Sequence, residues 1–186
     1  MSSPSGEKRN PPKGREARRR LFFALWPDSP VRRAIADRRA AFESEPGRCV
    51  PDRNLHITLL FLGDQPAETV EPVIEVAAGV SGPGFPLVLD RLGWFARARV
   101  AWLGGRAPRS GEALVGGLEA AVRSIGIELQ RRRWHPHATL FRRVDRRPRL
   151  PKVEPLEWDV TGFSLVESIP GKPYQVLRTW PLQSDP

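Results

Sequence analysis

Two tetrapeptides carry the chemistry this sequence can offer: His56-Ile57-Thr58-Leu59 and His137-Ala138-Thr139-Leu140. They start 81 residues apart and hold two of the three histidines in the chain. On a strand, residues i and i+2 face the same way. Each imidazole then stands beside its own threonine hydroxyl, while Ile57 or Ala138 and the leucine point to the opposite side. A single His-x-Thr on a strand is common and usually means nothing. Two copies, each followed by leucine and set in a repeated strand order, are far more specific. If the halves pack about a pseudo-two-fold axis, both pairs converge on one cleft. One imidazole can then remove a proton while the other donates one, and the two hydroxyls can hold anionic oxygens. In-line phosphoryl transfer needs that arrangement.

The elements that must position these residues are short. An apolar, aromatic run predicts a strand over 21–26, stopped by Pro27-Asp28. Pro30 opens a helix expected to reach about residue 45. A second strand over 55–62 ends at Gly63-Asp64, helical spacing follows over 66–80, and a third strand runs over 85–95. The pattern then begins again. A strand over 100–103 is followed by a helix to residue 124 with Ser110 as a plausible cap. Residues 138–142 match the second strand, 158–166 match the third, and 174–182 form a last strand. Short strands with helices between only some of them favour an α+β fold with largely antiparallel sheets over a doubly wound parallel sheet.

With their flanks, the motifs resemble the 2H phosphoesterases, a superfamily named for paired His-x-Thr/Ser motifs. Within it the chain is most similar to the RNA 2′,3′-cyclic phosphodiesterases once described as 2′-5′ RNA ligases. The segments that carry the resemblance are Arg20-Leu21-Phe22-Phe23-Ala24-Leu25, then Asn54-Leu55-His56-Ile57-Thr58-Leu59 with Phe61-Leu62-Gly63, and His135-Pro136-His137-Ala138-Thr139-Leu140-Phe141-Arg142. Residues 163–168 and 174–182 add the ending, so the match spans roughly 20–182. The resemblance implies a bilobal, duplicated α+β fold with two mainly antiparallel sheets, helices outside and a central groove. It implies no metal and no cofactor. It sets His56 as proton donor to the leaving oxygen and His137 as the base that activates water. Thr58, Thr139 and Arg142 become ligands of the phosphate. The reaction implied is opening of a terminal 2′,3′-cyclic phosphate to a 2′-phosphomonoester, with 2′-5′ ligation as a minor reverse activity and a bell-shaped pH profile near neutrality. The loop Ala96-Arg97-Ala98-Arg99 lacks the proline expected there.

Composition agrees with one domain acting on a polyanion. The 186 residues include 30 Lys and Arg against 21 Asp and Glu, a net charge of +9. Seven of those cations against two acids fall in residues 1–20. Residues 1–18 therefore read as a disordered basic tail and 19–186 as a single bilobal domain. One cysteine, Cys49, excludes an internal disulfide and a thiolate-built metal site. No apolar run is long enough for a signal-peptide core or a membrane span. The chain reads as a cytoplasmic monomer with no membrane partner, acting on RNA or a nucleotide bearing a 2′,3′-cyclic phosphate. A site built from His135, His137 and His56 has no accompanying ligand cluster. Arg131-Arg132-Arg133 with Arg142, Arg143, Arg146, Arg147 and Arg149 forms a basic cluster: either a solvated face or a track for an RNA backbone. Among the aromatics near the motifs, Phe22, Phe61, Trp94 and Trp134, one or two could stack on a base. Two other readings stay open. One is a non-catalytic RNA-binding module on the same fold, and the other is a phosphodiesterase for small nucleotides such as an ADP-ribose cyclic phosphate.

Overall fold

The computed structural model describes residues 17–42, 46–130 and 132–183. The expected tail lies almost wholly outside them, and Arg18 already opens the first strand, pairing with Pro66. Among the described residues, nine strands form one antiparallel sheet. They are β1 (Arg18–Leu25), β2 (Arg48–Cys49), β3 (Ile57–Pro66), β4 (Phe85–Phe95), β5 (Val100–Gly104), β6 (His137–Arg142), β7 (Lys152–Val160), β8 (Gly162–Ser168) and β9 (Gln175–Pro181). The spatial order is β7-β4-β5-β6-β3-β1-β8-β9, with β2 alongside β6. Four strands on each side make a lobe, and Ile57 opposite Ala138 is the one ladder pair joining β3 to β6. A bridge between Pro83 and Gln183 adds a tie beyond the strand ends.

The stretch expected as one strand over 158–166 is instead two. The chain breaks at Thr161, and β7 pairs with β4 while β8 pairs with β1. Thus β4 of the first half joins the lobe of β5 and β6, and β8 of the second half joins that of β1 and β3. The halves are interlocked rather than stacked side by side.

Helices α1 (Ser29–Asp37), α2 (Val70–Ala78) and α3 (Arg109–Ser124) supply residues to one apolar core on one face of the sheet. Asp28 caps α1 by accepting from the Val31 amide at 2.9 Å, with Pro30 in the first turn. The helix does not continue as expected. It tightens into a 3₁₀ turn over Arg38–Ala41, where the chain must turn Phe42 inward to meet Phe141 edge-on. Ser110 is not a cap, because α3 starts one residue earlier behind Pro108. Ile35, Val73, Ala77, Leu118 and Val122 are fully buried against the strands' inner residues. The opposite sheet face carries a much smaller apolar cluster of Phe22, Ala24 and Val166, with Trp26 and Tyr174 packed against it.

Gly93 matters for that second face. It sits opposite Trp102 across β4 and β5, and a Cβ there would lie 2.0 Å from the indole ring. The missing side chain is what lets Trp102 lie flat over the strand. Gly93→Ala is expected to destabilise the fold by ~1–3 kcal/mol through overpacking, read by urea unfolding. A variant as stable as the parent would show that Trp102 is free to move.

Candidate active site

The Ile57–Ala138 pair sets the geometry of the site. In antiparallel register, Thr58 falls beside His137 and Thr139 beside His56. Ile57, Leu59, Ala138 and Leu140 are buried in the core. The four polar side chains therefore share the other face. Diagonal neighbours across such a pair stand about 7–8 Å apart, a spacing that leaves room for a phosphate-sized group between His56 and His137.

Each strand then carries a bulge at the same place. Phe23 pairs with Leu60 and Ala24 with Thr58, so Leu59 is the extra residue in β3. Ala101 pairs with Phe141 and Trp102 with Thr139, so Leu140 is the extra residue in β6. A bulge reverses the alternation beyond it. Leu59 and Leu60 are both buried, as are Leu140 and Phe141. The next residues, Phe61 and Arg142, consequently come round to the site face. They occupy matched positions, three after each threonine. The paired apolar doublets Leu59-Leu60 and Leu140-Phe141 were the signal in the sequence that alternation breaks there.

A cleft of about 400 Å³ is lined by His56, Thr58, Phe61 and Arg142 together with Arg20 and Tyr174. His137 and Thr139 join it through the strand register rather than as lining of that cavity. Phe61 is 49% exposed, and the Arg20 guanidinium lies 4.9 Å from its ring centroid. Of the other aromatics weighed, Phe22 is buried, and the indoles of Trp94 and Trp134 donate to the carbonyls of Val144 and Thr58. Tyr174 was not anticipated as a site residue. Its ring meets His56 edge-on at 5.2 Å, and Arg142 reaches its hydroxyl at 3.5 Å. The Asn54 side chain accepts from the Tyr174 amide at 3.3 Å, which docks that loop beside the first motif. No periodicity could have announced a contact 120 residues away in sequence.

Both imidazoles are held alike. His56 Nδ1 lies 2.7 Å from the Asn54 carbonyl and His137 Nδ1 lies 2.6 Å from the His135 carbonyl. A carbonyl only accepts, so Nδ1 carries the proton in each neutral ring and Nε2 keeps the lone pair. Thr58 Oγ1, 3.2 Å from His56 Nε2, then donates to it. The surroundings differ. His56 is packed by Phe22, by Trp26 stacked at 5.7 Å and by Tyr174. His137 meets Phe95 edge-on and Trp102 at 5.9 Å. Burial is the main force lowering the pKa of His56 from 6.5 to about 4. The Asn54 hydrogen bond opposes it, and the charges of Arg142 and His137 reinforce it. Burial also lowers His137 below 6.5, against the His135 carbonyl bond and with a further push from the His135 ring. A bound phosphate anion has the opposite sign and favours the imidazolium.

The expected basic cluster divides. Arg146, Arg147 and Arg149 line a separate cavity of about 390 Å³ with Asp145 and Phe42. Arg131 lies outside the described residues. Among the described residues, no group of three or more His, Cys, Asp and Glu side chains could hold a metal ion. No helix among them is long and apolar enough to cross a membrane.

An NMR titration of the imidazole protons is expected to place the His56 midpoint near 4 and His137 below its usual value, with inorganic phosphate raising His56. A His56 midpoint at or above 6.5 that phosphate leaves unmoved would contradict the site as described.

Relatives extend the comparison beyond this geometry. The LigT-like phosphoesterase family model matches residues 25–102. An Escherichia coli protein named RNA 2′,3′-cyclic phosphodiesterase is 36% identical, covering 88% of this chain and 96% of its own. A Thermus thermophilus protein of the same name is 34% identical over 89% of this chain and 91% of its own. The crystal structure of Escherichia coli LigT complexed with 3′-AMP superposes with a TM-score of 0.80 at 34% identity, over 89% of this chain and 99% of that one. Agreement in sequence and fold over nearly the whole length of both partners shows that this chain belongs to the LigT-like phosphoesterase family.

Proposed function

We propose that this chain hydrolyses 2′,3′-cyclic phosphate ends of RNA to 2′-phosphomonoesters, by metal-independent acid–base catalysis between two imidazoles. The observation that carries the reading is the Ile57–Ala138 register, which turns both His-x-Thr pairs toward one face. The names of the Escherichia coli and Thermus thermophilus relatives support the substrate class.

The chemistry follows from the ring nitrogens. His137 Nε2 takes a proton from water as its oxygen attacks phosphorus. The bond from phosphorus to O3′ breaks in line, and His56 delivers a proton to that oxygen. The products are a 3′-hydroxyl and a 2′-phosphate. Thr58, Thr139 and Arg142 hold the non-bridging oxygens, with Arg142 able to bond two at once. With a 5′-hydroxyl in place of water as the attacking group, the same steps join it to the 2′-phosphate and free the 3′-hydroxyl, a minor 2′-5′ ligation. To act as a donor, His56 must first become imidazolium, and the bound anion supplies the field that raises its pKa. Phe61 offers an exposed ring beside the phosphate for a terminal base. All five polar groups come from one chain, so a monomer suffices.

The pH dependence differs from the sequence expectation of limbs near neutrality. Burial holds both rings below 6.5 when no anion is bound. The bell in kcat/KM, which reports the free enzyme, is therefore centred below 6.5 whichever ring is the acid. The bell in kcat shifts upward from it, because the complex contains the anion.

Incubation with an oligoribonucleotide ending in a 2′,3′-cyclic phosphate, read by phosphorus NMR, is expected to give the 2′-phosphomonoester. His56→Ala and His137→Ala should each lose ~10²–10⁴-fold in rate. A 3′-phosphate product, or turnover unaffected by either substitution, overturns the reading.

A further inference from the structure

Beside the cleft runs a second groove of about 580 Å³, and the two share Arg142 and Tyr174 as a common wall. Arg48 lines it from β2 and Arg53 from the turn before His56. Arg99 and Arg143 line it from the turns after β4 and β6, and Lys172 from the loop that delivers Tyr174. No carboxylate lines the groove. Two acids close in sequence to its lining residues are paired: Asp145 with Arg99 and Asp52 with Arg39. Among the described residues, Arg48, Arg53, Arg143 and Lys172 have no ion-pair partner.

The backbone adds an independent observation. Two non-glycine residues among those described adopt positive φ: Arg99 at 54° and Arg143 at 59°. Both line this groove. A left-handed backbone strains an arginine where glycine or asparagine would sit easily. At Arg143 that strain comes with a cation that no described carboxylate pairs, whereas the Arg99 guanidinium is held by Asp145.

We infer that this groove binds the phosphodiester backbone of the RNA strand on the 5′ side of the cyclic phosphate, so that the preferred substrate is a strand and not a mononucleotide. The inference rests on the proposed function. A cyclic phosphate closes the 3′ end, so every other nucleotide leaves the cleft on its 5′ side. This basic groove is continuous with the cleft. Cations without local acids gain most by releasing counterions from such a strand.

The test compares kcat/KM on a mononucleotide 2′,3′-cyclic phosphate and on a short oligoribonucleotide with the same end, across a salt series. The variant combines Arg53→Ala, Arg143→Gly and Lys172→Ala. Glycine at 143 relieves backbone strain, so the fold is not the casualty. Single-stranded RNA loses ~0.7 in salt slope per phosphate contact removed, so the variant's oligonucleotide slope should flatten by about 2. At low salt its oligonucleotide kcat/KM should fall at least ~10-fold, mainly through KM, while the mononucleotide value moves less than ~2-fold. Equal losses on both substrates, or an unchanged slope, overturn the inference. Competition by an acidic peptide as effective as RNA also overturns it, by making the groove a protein site. If the parent enzyme turns over neither substrate, the proposed function has failed. Fluorescence anisotropy on a labelled oligoribonucleotide without the cyclic end then decides the groove. The same flattening supports it, and binding indifferent to the three substitutions overturns it.

Discussion

A single ladder contact, Ile57 opposite Ala138, holds the two functional strands in register where the lobes meet. Almost everything chemical depends on it. A slip of one residue would turn every side chain on one strand to the wrong face, burying an imidazole and exposing an apolar neighbour. Both lobes therefore resist such a slip, because Ile57 and Ala138 are fully buried in the shared core. The exchange of β4 and β8 between lobes locks the arrangement further, since neither half can complete its sheet without a strand from the other.

Pseudo-symmetry supplies matched positions, and local packing then makes them unequal. Ala24 lies across from Thr58, and Trp102 lies across from Thr139. The small residue leaves room on the first side for Phe22, Trp26 and Tyr174 to enclose His56. On the second side Phe95 and the Trp102 indole support His137, with Gly93 beneath the indole. The positions three after each threonine show the same divergence: one is Phe61 and the other Arg142. A ring and a guanidinium on two equivalent strands suit the two ends of a nucleotide, one apolar and one anionic. Desolvation dominates both imidazoles, so a bound anion has the largest leverage on the ring that is most enclosed.

The paired motifs, the α+β class and the resemblance were legible because they rest on local residue types and on period-two patterning. Cap chemistry was partly legible, since Asp28 with Pro30 announces α1 while Ser110 suggests a cap that Pro108 makes unnecessary. The strand over 158–166 was misjudged because Thr161 looks like any polar strand residue, and only its pairing partners reveal that the chain changes lobes there. Tyr174 and the groove through Arg48, Arg53 and Lys172 were invisible for a related reason: they meet only through loops distant in sequence. Of the arginines that sequence proximity grouped together, Arg146, Arg147 and Arg149 line one cavity and Arg142 the groove, with Arg143 lining both.

The central claim is that one phosphorus atom sits between two imidazoles. It is tested most directly by a crystal structure of this chain with a 2′-nucleotide product bound. One phosphate is expected, with His56 Nε2 and His137 Nε2 both within hydrogen-bond distance, on opposite sides of phosphorus. A phosphate held by one motif alone, with the second imidazole out of reach, would contradict it.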